Sequence, residues 1–425
     1  MSASGATVVV VSAGYPGKRR IYERIAGLGV RIVVVDEPGH WSEQLVADGV
    51  AAAWIPVPMT SEPDAHAAAI LDALAAAGVK PDGVLSFWEF SVPVVARVAA
   101  SLRLPGNPPD AVDAARSKLR TRQLSEQTGL PTPRSQRVRS LDELYAAASD
   151  IGFPAVVKPE LGAGQVGCVR VDSFADLPGV YTVVRQELAH TVFDDLRRAR
   201  NDLLFEQYLH GVEFDVDLIM EDGEPAFSSV SQNWPTAEPS FQETGLHCPP
   251  DHNERAVRQL IELSVRTAQE FGLHRGVLHI EGKCTSNGPR IIEVNARMGG
   301  GRIYQVVEAV WGVDLVEAHL RSSLDLRQHV LPSRKPRCSV VNSFLYAPAT
   351  GRLAALPLGA ITPEGPLGVV IDESATVGQA LIGPEQLFPT LLAEVYVSGK
   401  NLRRARSLAA EILRDPPVVV PIEDD

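Results

Sequence analysis

The stretch Gly276-Val-Leu-His-Ile-Glu281-Gly-Lys283-Cys-Thr-Ser-Asn-Gly-Pro-Arg290-Ile-Ile-Glu293-Val-Asn295-Ala-Arg297 reads as two strands meeting at a tight turn, with a carboxylate on each. Side chains alternate faces along a strand, so His279, Glu281 and Lys283 share one side, as do Glu293 and Asn295. Loop length decides whether the two sets coincide. A two-residue Asn287-Gly288 turn pairs Glu281 with Val294, whereas a three-residue loop, Ser286 to Gly288 with Gly288 left-handed in a G1 bulge, pairs Glu281 with Glu293. The three-residue loop is expected. Two adjacent carboxylates repel, and a hard divalent cation is the usual compensation. Glu281, Glu293 and Asn295 offer only oxygen donors, which suits Mg²⁺ completed by water and substrate phosphates. A solvated sheet face, with pairs such as Lys283 and Glu293, competes evenly on this hairpin alone.

Upstream, Val156-Val-Lys158-Pro-Glu-Leu-Gly162-Ala-Gly164-Gln-Val-Gly167 carries G-x-G-x-x-G, but Cys168 to Val171 continues as a strand, so the helix of a dinucleotide fingerprint is missing. A glycine hairpin remains, either plainly flexible or able to bring backbone N–H groups to phosphate beside Lys158. Residues 7–36 form a βαβ unit whose turn, Gly14-Tyr-Pro-Gly17-Lys18, matches neither that fingerprint nor a complete P-loop and reads as a plain strand-to-helix turn. An Ala-rich helix from Asp64 to Gly78, a strand from Gly83 to Phe87 and a helix ending near Leu102 continue a parallel α/β pattern. Glu89 stands at the carboxyl end of that last strand, where open sheets place ligands. A charged helix from Asp113 to Thr128 opens a new region with strands at Ala155 to Lys158, Val166 to Val171, Leu203 to Leu209, Glu213 to Met220 and Ala226 to Val230. Helices follow from about Glu254 to Phe271, Tyr304 to Leu320 and Leu402 to Leu413, before an apolar, then acidic, tail to Asp425. Three domains are expected: 1–115, 116–325 (small lobe to about 204, large lobe from 205) and 326–425.

Composition supports this. At 425 residues the chain exceeds one ordinary core, and 45% hydrophobic with 22% charged residues leaves no sign of disorder. Fifty-two acidic against 40 basic residues give a net charge of −12, which argues against broad nucleic-acid binding. The four cysteines, Cys168, Cys248, Cys284 and Cys338, fit neither a disulfide framework nor a C-x-x-C site and read as buried thiols. No cation precedes the first valine run and no stretch of about 18 apolar residues occurs, so neither a signal segment nor a membrane span is expected, and the protein is placed in the cytoplasm.

In their order, these signals resemble the ATP-grasp superfamily. The resemblance implies an α/β and α+β multi-domain chain: an ATP-grasp fold with an N-terminal Rossmann-like parallel domain and a C-terminal α+β cap. Lys118 in Ser117-Lys-Leu-Arg120 and Lys158 are similar to the family's nucleotide lysines, and Gly162, Gly164 and Gly167 to its phosphate flap. Phe205-Glu206-Gln-Tyr208-Leu209 resembles the adenine hinge, with Glu206 toward the amino group, and Glu213 the acid on ribose. Glu281, Glu293 and Asn295 are similar to the magnesium ligands, and Arg297 to the catalytic, phosphate-neutralising arginine. The motifs around Glu89, Glu243, His247 and Arg297 are most similar to bacterial L-amino acid ligases and the carnosine synthase ligase domain. That implies an ATP-dependent carboxylate–amine ligase working through an acyl phosphate. ATP and Mg²⁺, or Mn²⁺, are its cofactors, and Arg297 and Lys158 its catalytic residues. Glu89, Glu243, His247, Arg297, Gly299 and Gly300 are expected at the substrate, with structural hydrogen bonding an equal reading for Glu89 and His247. Small-molecule carboxylate and amine substrates, amino acids foremost, are the expected partners, without nucleic acid or membrane, and a homodimer is the candidate assembly. An ATP-grasp carboxylase, a phosphoribosyl-amine ligase and a non-catalytic nucleotide module are the alternatives.

Overall fold

The computed structural model describes residues 2–162, 164–191, 196–197 and 202–421; residue 163 of the glycine loop and the acidic end of the tail lie outside them. The valine runs make the first sheet. Strands β1 (Thr7–Val11), β2 (Arg31–Asp36), β3 (Ala53–Pro56) and β4 (Gly83–Leu85) lie parallel in the order β3-β2-β1-β4. Alternation sends Val8 and Val10 into one core with Ile21, Tyr22 and Ile25 of helix Arg19–Gly27. Val9 and Val11 go into another with Ile70 and Leu74 of helix Pro63–Ala76 and Val98 of helix Val92–Leu102. Helices on both faces explain why these strands are continuously apolar.

The second sheet is antiparallel, with β5 (Ser135–Val138), β6 (Ala155–Pro159), β7 (Val169–Val171) and β8 (Leu203–Gln207) in the order β5-β8-β6-β7. Val157 and Phe205 pack on Leu144 and Val184 from helices Leu141–Ile151 and Leu177–His190. Their neighbours Lys158 and Glu206 therefore face the other way, toward the third sheet.

That sheet has eight strands. It joins β9 (Val212–Glu221), β10 (Glu224–Asn233), β11 (Gly245–Cys248), β12 (Gly276–Thr285), β13 (Gly288–Asn295) and β14 (Ser339–Tyr346) to two of the four later strands. The later strands are β15 (Gly351–Ala355), β16 (Val369–Glu373), β17 (Ala380–Leu381) and β18 (Leu391–Gly399). The order is β13-β12-β9-β10-β11-β14-β18-β16, so three strands from the expected C-terminal cap extend the sheet that carries the acidic hairpin. Only β17 and β15, with β19 (Val418–Val420), form a small sheet of their own.

Three expectations change. The charged helix is two helices, Pro109–Arg116 and Lys118–Gln127, broken where Ser117 turns extended and its hydroxyl caps the second by accepting from Arg120 N at 3.1 Å. The helix from Tyr304 is likewise two, Ile303–Trp311 and Leu315–Ser323, divided at Gly312, whose φ is +73°. The hairpin pairs Glu281 with Glu293 as expected, but by a different route. Its loop is only Ser286 and Asn287, because Thr285 pairs with Gly288, and the offset comes from an extra residue, Ile292, between the Gly282–Ile291 and Glu281–Glu293 pairs. Gly282 permits this crowding: a Cβ there would lie 2.9 Å from the Arg290 carbonyl oxygen.

Candidate active site

The cleft between the second and third sheets is lined by Lys118, Lys158, Gly164, Glu206, Tyr208, Leu209, Glu213, Glu243, Glu281 and Glu293. Ten of the expected site residues, spread over about 175 positions of sequence, thus meet in one space. Gly162 stands close by: a Cβ on it would be 3.1 Å from the Lys118 ammonium. Gly164 and Gly167 hold φ of +56° and +72°, a left-handed backbone that glycine adopts without strain.

Two buried lysines face the acids. Lys118, the first residue of its helix, lies 3.0 Å from Glu293 Oε1. Lys158 donates to Glu206 Oε1 at 2.5 Å. Burial pulls the Lys158 ammonium below its ordinary range, with Arg122 and Lys118 adding to this and Glu206 opposing. Arg122, a residue that sequence reasoning missed, completes the arrangement. Its Nε donates to Glu206 Oε2 at 2.7 Å and its Nη2 to the carbonyl of the bulged Ile292 at 2.6 Å. The available signal was its spacing, one helical turn after Lys118. Against the cost of burial, Arg122 and Lys158 hold Glu206 down to about 2. Glu206 was expected to face the adenine amino group, yet both its oxygens accept from these cations, so the role visible in the fold is to hold them.

The acid pair is unequally treated. Despite burial, Lys118 keeps Glu293 below the usual carboxylate range. Burial, then the charges of Glu293 and Asp215, push Glu281 well above it. His279 spends Nδ1 on Asp217 at 2.9 Å, and its Nε2 is 3.9 Å from Glu281. Asn295, paired opposite His279, is buried with its Oδ1 3.4 Å from Arg297 Nη2. Among the described residues no three His, Cys, Asp or Glu side chains form a metal cage. Two carboxylates and an amide oxygen, an all-oxygen donor set, fit Mg²⁺, which takes its other ligands from phosphates and water.

Tyr208 and Glu213, expected at the nucleotide, also line the cleft. The Tyr208 hydroxyl donates to Glu238 at 2.5 Å and its ring lies 4.7 Å from the Arg170 guanidinium carbon, while Glu213 meets Lys283 at 3.4 Å. Glu243 is exposed to the cleft itself. Enclosure there, together with Asp215, Glu213 and Glu394, pushes it up to about 8.

Arg297 lies beyond this lining. Its Nε donates to Glu89 and its Nη1 to the Met298 carbonyl at 2.7 Å. Arg116 Nε stands 3.3 Å from the other Glu89 oxygen. Glu89, expected either at the substrate or in structural hydrogen bonding, is thus neutralised by two guanidinium groups and positions Arg297. Gly299 is tightly enclosed, since a Cβ would meet His279 Nδ1 at 2.9 Å, whereas Gly300 faces open space. His247 follows the structural one of its two readings: it lies on β11, is fully buried, accepts from Trp234 Nε1 at 3.0 Å, and borders a neighbouring cleft with Trp234 and Arg406.

Comparison with known proteins agrees with this fold. Residues 151–305 match the ATP-grasp domain and residues 22–106 the ATP-grasp N-terminal domain. Carnosine synthase 1 of Gallus gallus is 33% identical over 365 residues, 82% of this chain and 38% of that protein. Alanine–anticapsin ligase of Bacillus subtilis is 24% identical over 282 residues, 62% of this chain and 59% of that protein. The chain therefore spans about two fifths of the length of the carnosine synthases it matches. The crystal structure of an L-amino acid ligase from Bacillus licheniformis superposes with a TM-score of 0.81 over 99% of both chains at 20% identity, which establishes the shared fold.

Proposed function

Because this chain belongs to the ATP-grasp superfamily, we propose that it is a carboxylate–amine ligase. It would spend ATP to join an amino-acid carboxylate to an amine, giving an amide or dipeptide and releasing ADP and phosphate. One observation carries the proposal: two buried lysines and a pair of opposed carboxylates share a cleft with the Glu206–Leu209 segment.

Lys118 and Lys158 supply positive charge to phosphate oxygens, and the Arg122–Glu206 pair keeps Lys158 from turning away. Glu281, Glu293 and Asn295 would hold Mg²⁺, or Mn²⁺, which when bound neutralises phosphate charge. A carboxylate oxygen of the first substrate attacks the γ-phosphorus; the bond to the bridging oxygen breaks and ADP leaves. The amine nitrogen then attacks the acyl carbon, the C–O bond to phosphate breaks, and the nitrogen gives up a proton. Charge on the moving phosphoryl group falls to Arg297, whose Nη2 edge is held toward Asn295 by the Glu89 and Met298 contacts. Glycines 299 to 301 can offer N–H groups to the tetrahedral oxygen.

The test is ADP release across all pairs of amino acids with Mg²⁺, with mass spectrometry of the products. A condensed product for at least one pair is expected. ADP release that requires bicarbonate instead of an amine, or none with any pair, overturns the proposal.

A further inference from the structure

The strand order of the N-terminal sheet has a switch point, the place where open sheets form a ligand crevice, that the sequence motifs did not explain. After β1 the chain runs to β2 and β3 on one side, and it returns to β4 on the other, so the loops following β1 and β4 part company above neighbouring strands. Open parallel sheets receive ligands at such a place, beyond the carboxyl ends of the strands.

Here the crevice carries unbalanced charge. Lys18, from the loop after β1, is 7% exposed. Its stem lies on Gly14 beside Trp88: a Cβ on Gly14 would meet Lys18 Cδ and Trp88 Cε3, each at 3.0 Å. The ammonium sits 5.1 Å from the centre of the Tyr15 ring and, among the described residues, has no hydrogen bond or ion pair. Glu89, from the loop after β4, is the acid that supports its charge, and Arg116 and Arg297 already hold that acid. Three cations therefore share one carboxylate. A buried cation without a partner is costly, and burial followed by the nearby Arg297 pulls Lys18 down to about 7.

We propose that Lys18 receives a carboxylate of the substrate, namely the free carboxylate of the amine-bearing amino acid. This rests on the ligase reading above. Lys18 does not line the cleft of Lys118, Lys158, Glu281 and Glu293, where the reacting carboxylate must meet the γ-phosphate. The carboxylate it receives is one that the reaction leaves intact, and joining two amino acids consumes one carboxylate and preserves the other.

ADP release is measured for wild type, Lys18→Gln and Lys18→Arg with each amino acid as amine substrate and with its carboxamide. Lys18→Gln should raise KM for the amino acid roughly 10- to 100-fold. It should leave KM for ATP, for the carboxylate-donating substrate and for the carboxamide unchanged, and Lys18→Arg should recover part of the loss. Equal losses on amino acid and carboxamide, or a rise confined to the donating acid, overturn the assignment. Thermal-shift binding of amino acids against carboxamides, with Mg²⁺ and a non-hydrolysable ATP analogue, separates the two proposals. A preference for the free carboxylate that vanishes in Lys18→Gln upholds the assignment even if no ADP is released, in which case the ligase reading alone falls. The absence of such a preference overturns the lysine assignment whatever the turnover.

Discussion

Glu206→Gln removes one charge from the cleft while keeping its shape. The wild-type carboxylate is 4% exposed and sits between Arg122 at 2.7 Å and Lys158 at 2.5 Å. Its pKa falls from 4.5 to about 2, and at about 1.4 kcal/mol per unit that is a contribution of about 3 kcal/mol to folding at pH 7. The sign follows from the direction. A depressed carboxylate stabilises fully above its unfolded value of 4.5, and the stabilisation is lost as pH falls through the folded value of about 2. At pH 3 less than half of it should remain. Urea denaturation of wild type and variant, followed by tryptophan fluorescence, should give a difference of about 3 kcal/mol at pH 7 that shrinks by about half at pH 3. Urea is the denaturant of choice because guanidinium salt screens the pair. The variant also strands two buried cations, which adds to the loss at neutral pH and does not reverse its trend. A difference below about 1 kcal/mol at pH 7, or one that does not change with pH, would refute the account of Glu206 as the counter-charge of Arg122 and Lys158.

Three further outcomes are expected. Arg297→Ala should lower kcat by about 10²- to 10³-fold with little change in KM for ATP, as steady-state kinetics will show, because the lost donors act on the moving phosphoryl group. Glu281→Gln should raise the melting temperature of the metal-free protein by removing an acid whose charge is disfavoured by burial and then by Glu293, yet reduce the extra stabilisation from Mg²⁺ with ATP, both read by differential scanning fluorimetry. Burial pulls His319 down to about 4, so stability should decline by roughly 1 kcal/mol per pH unit as pH drops from 6.5 toward 4, and His319→Gln should flatten that part of the urea profile.

Much of this site was legible because its key residues obey short-range rules. Two-residue alternation puts Glu293 and Asn295 on one face, and a turn with Gly288 at φ +88° can only join adjacent strands. Lys118, Lys158 and the glycine loop were legible through their order along the chain. What escaped depends on partners far apart in sequence. Arg122 and Glu206 are separated by 84 residues, and Arg297 and Glu89 by 208. Nothing local at Glu89 announces the two arginines that claim it. His247 escaped for another reason. Its strand is only four residues long and pairs with β14, which begins about 90 residues later, so its burial depends on a distant neighbour. The hairpin holds the same lesson at smaller scale: the pairing was foreseen, but the bulge was expected at Gly288 and stands at Ile292, because the space beside Gly282 is set by Leu260 on a helix, 2.8 Å from where a Cβ would stand.

The extra residue at Ile292 also bears on how the molecule keeps to itself. β13 is the outermost strand of an eight-stranded sheet, and an outermost strand offers its unpaired amides to any passing chain. The kink at Ile292 breaks that row of amides midway, and Arg122 has already claimed the carbonyl that the kink turns aside. A stray strand docking there would find its hydrogen-bonding track interrupted after a few residues, so the irregularity that seats the acids across from each other also guards the rim against fibre growth.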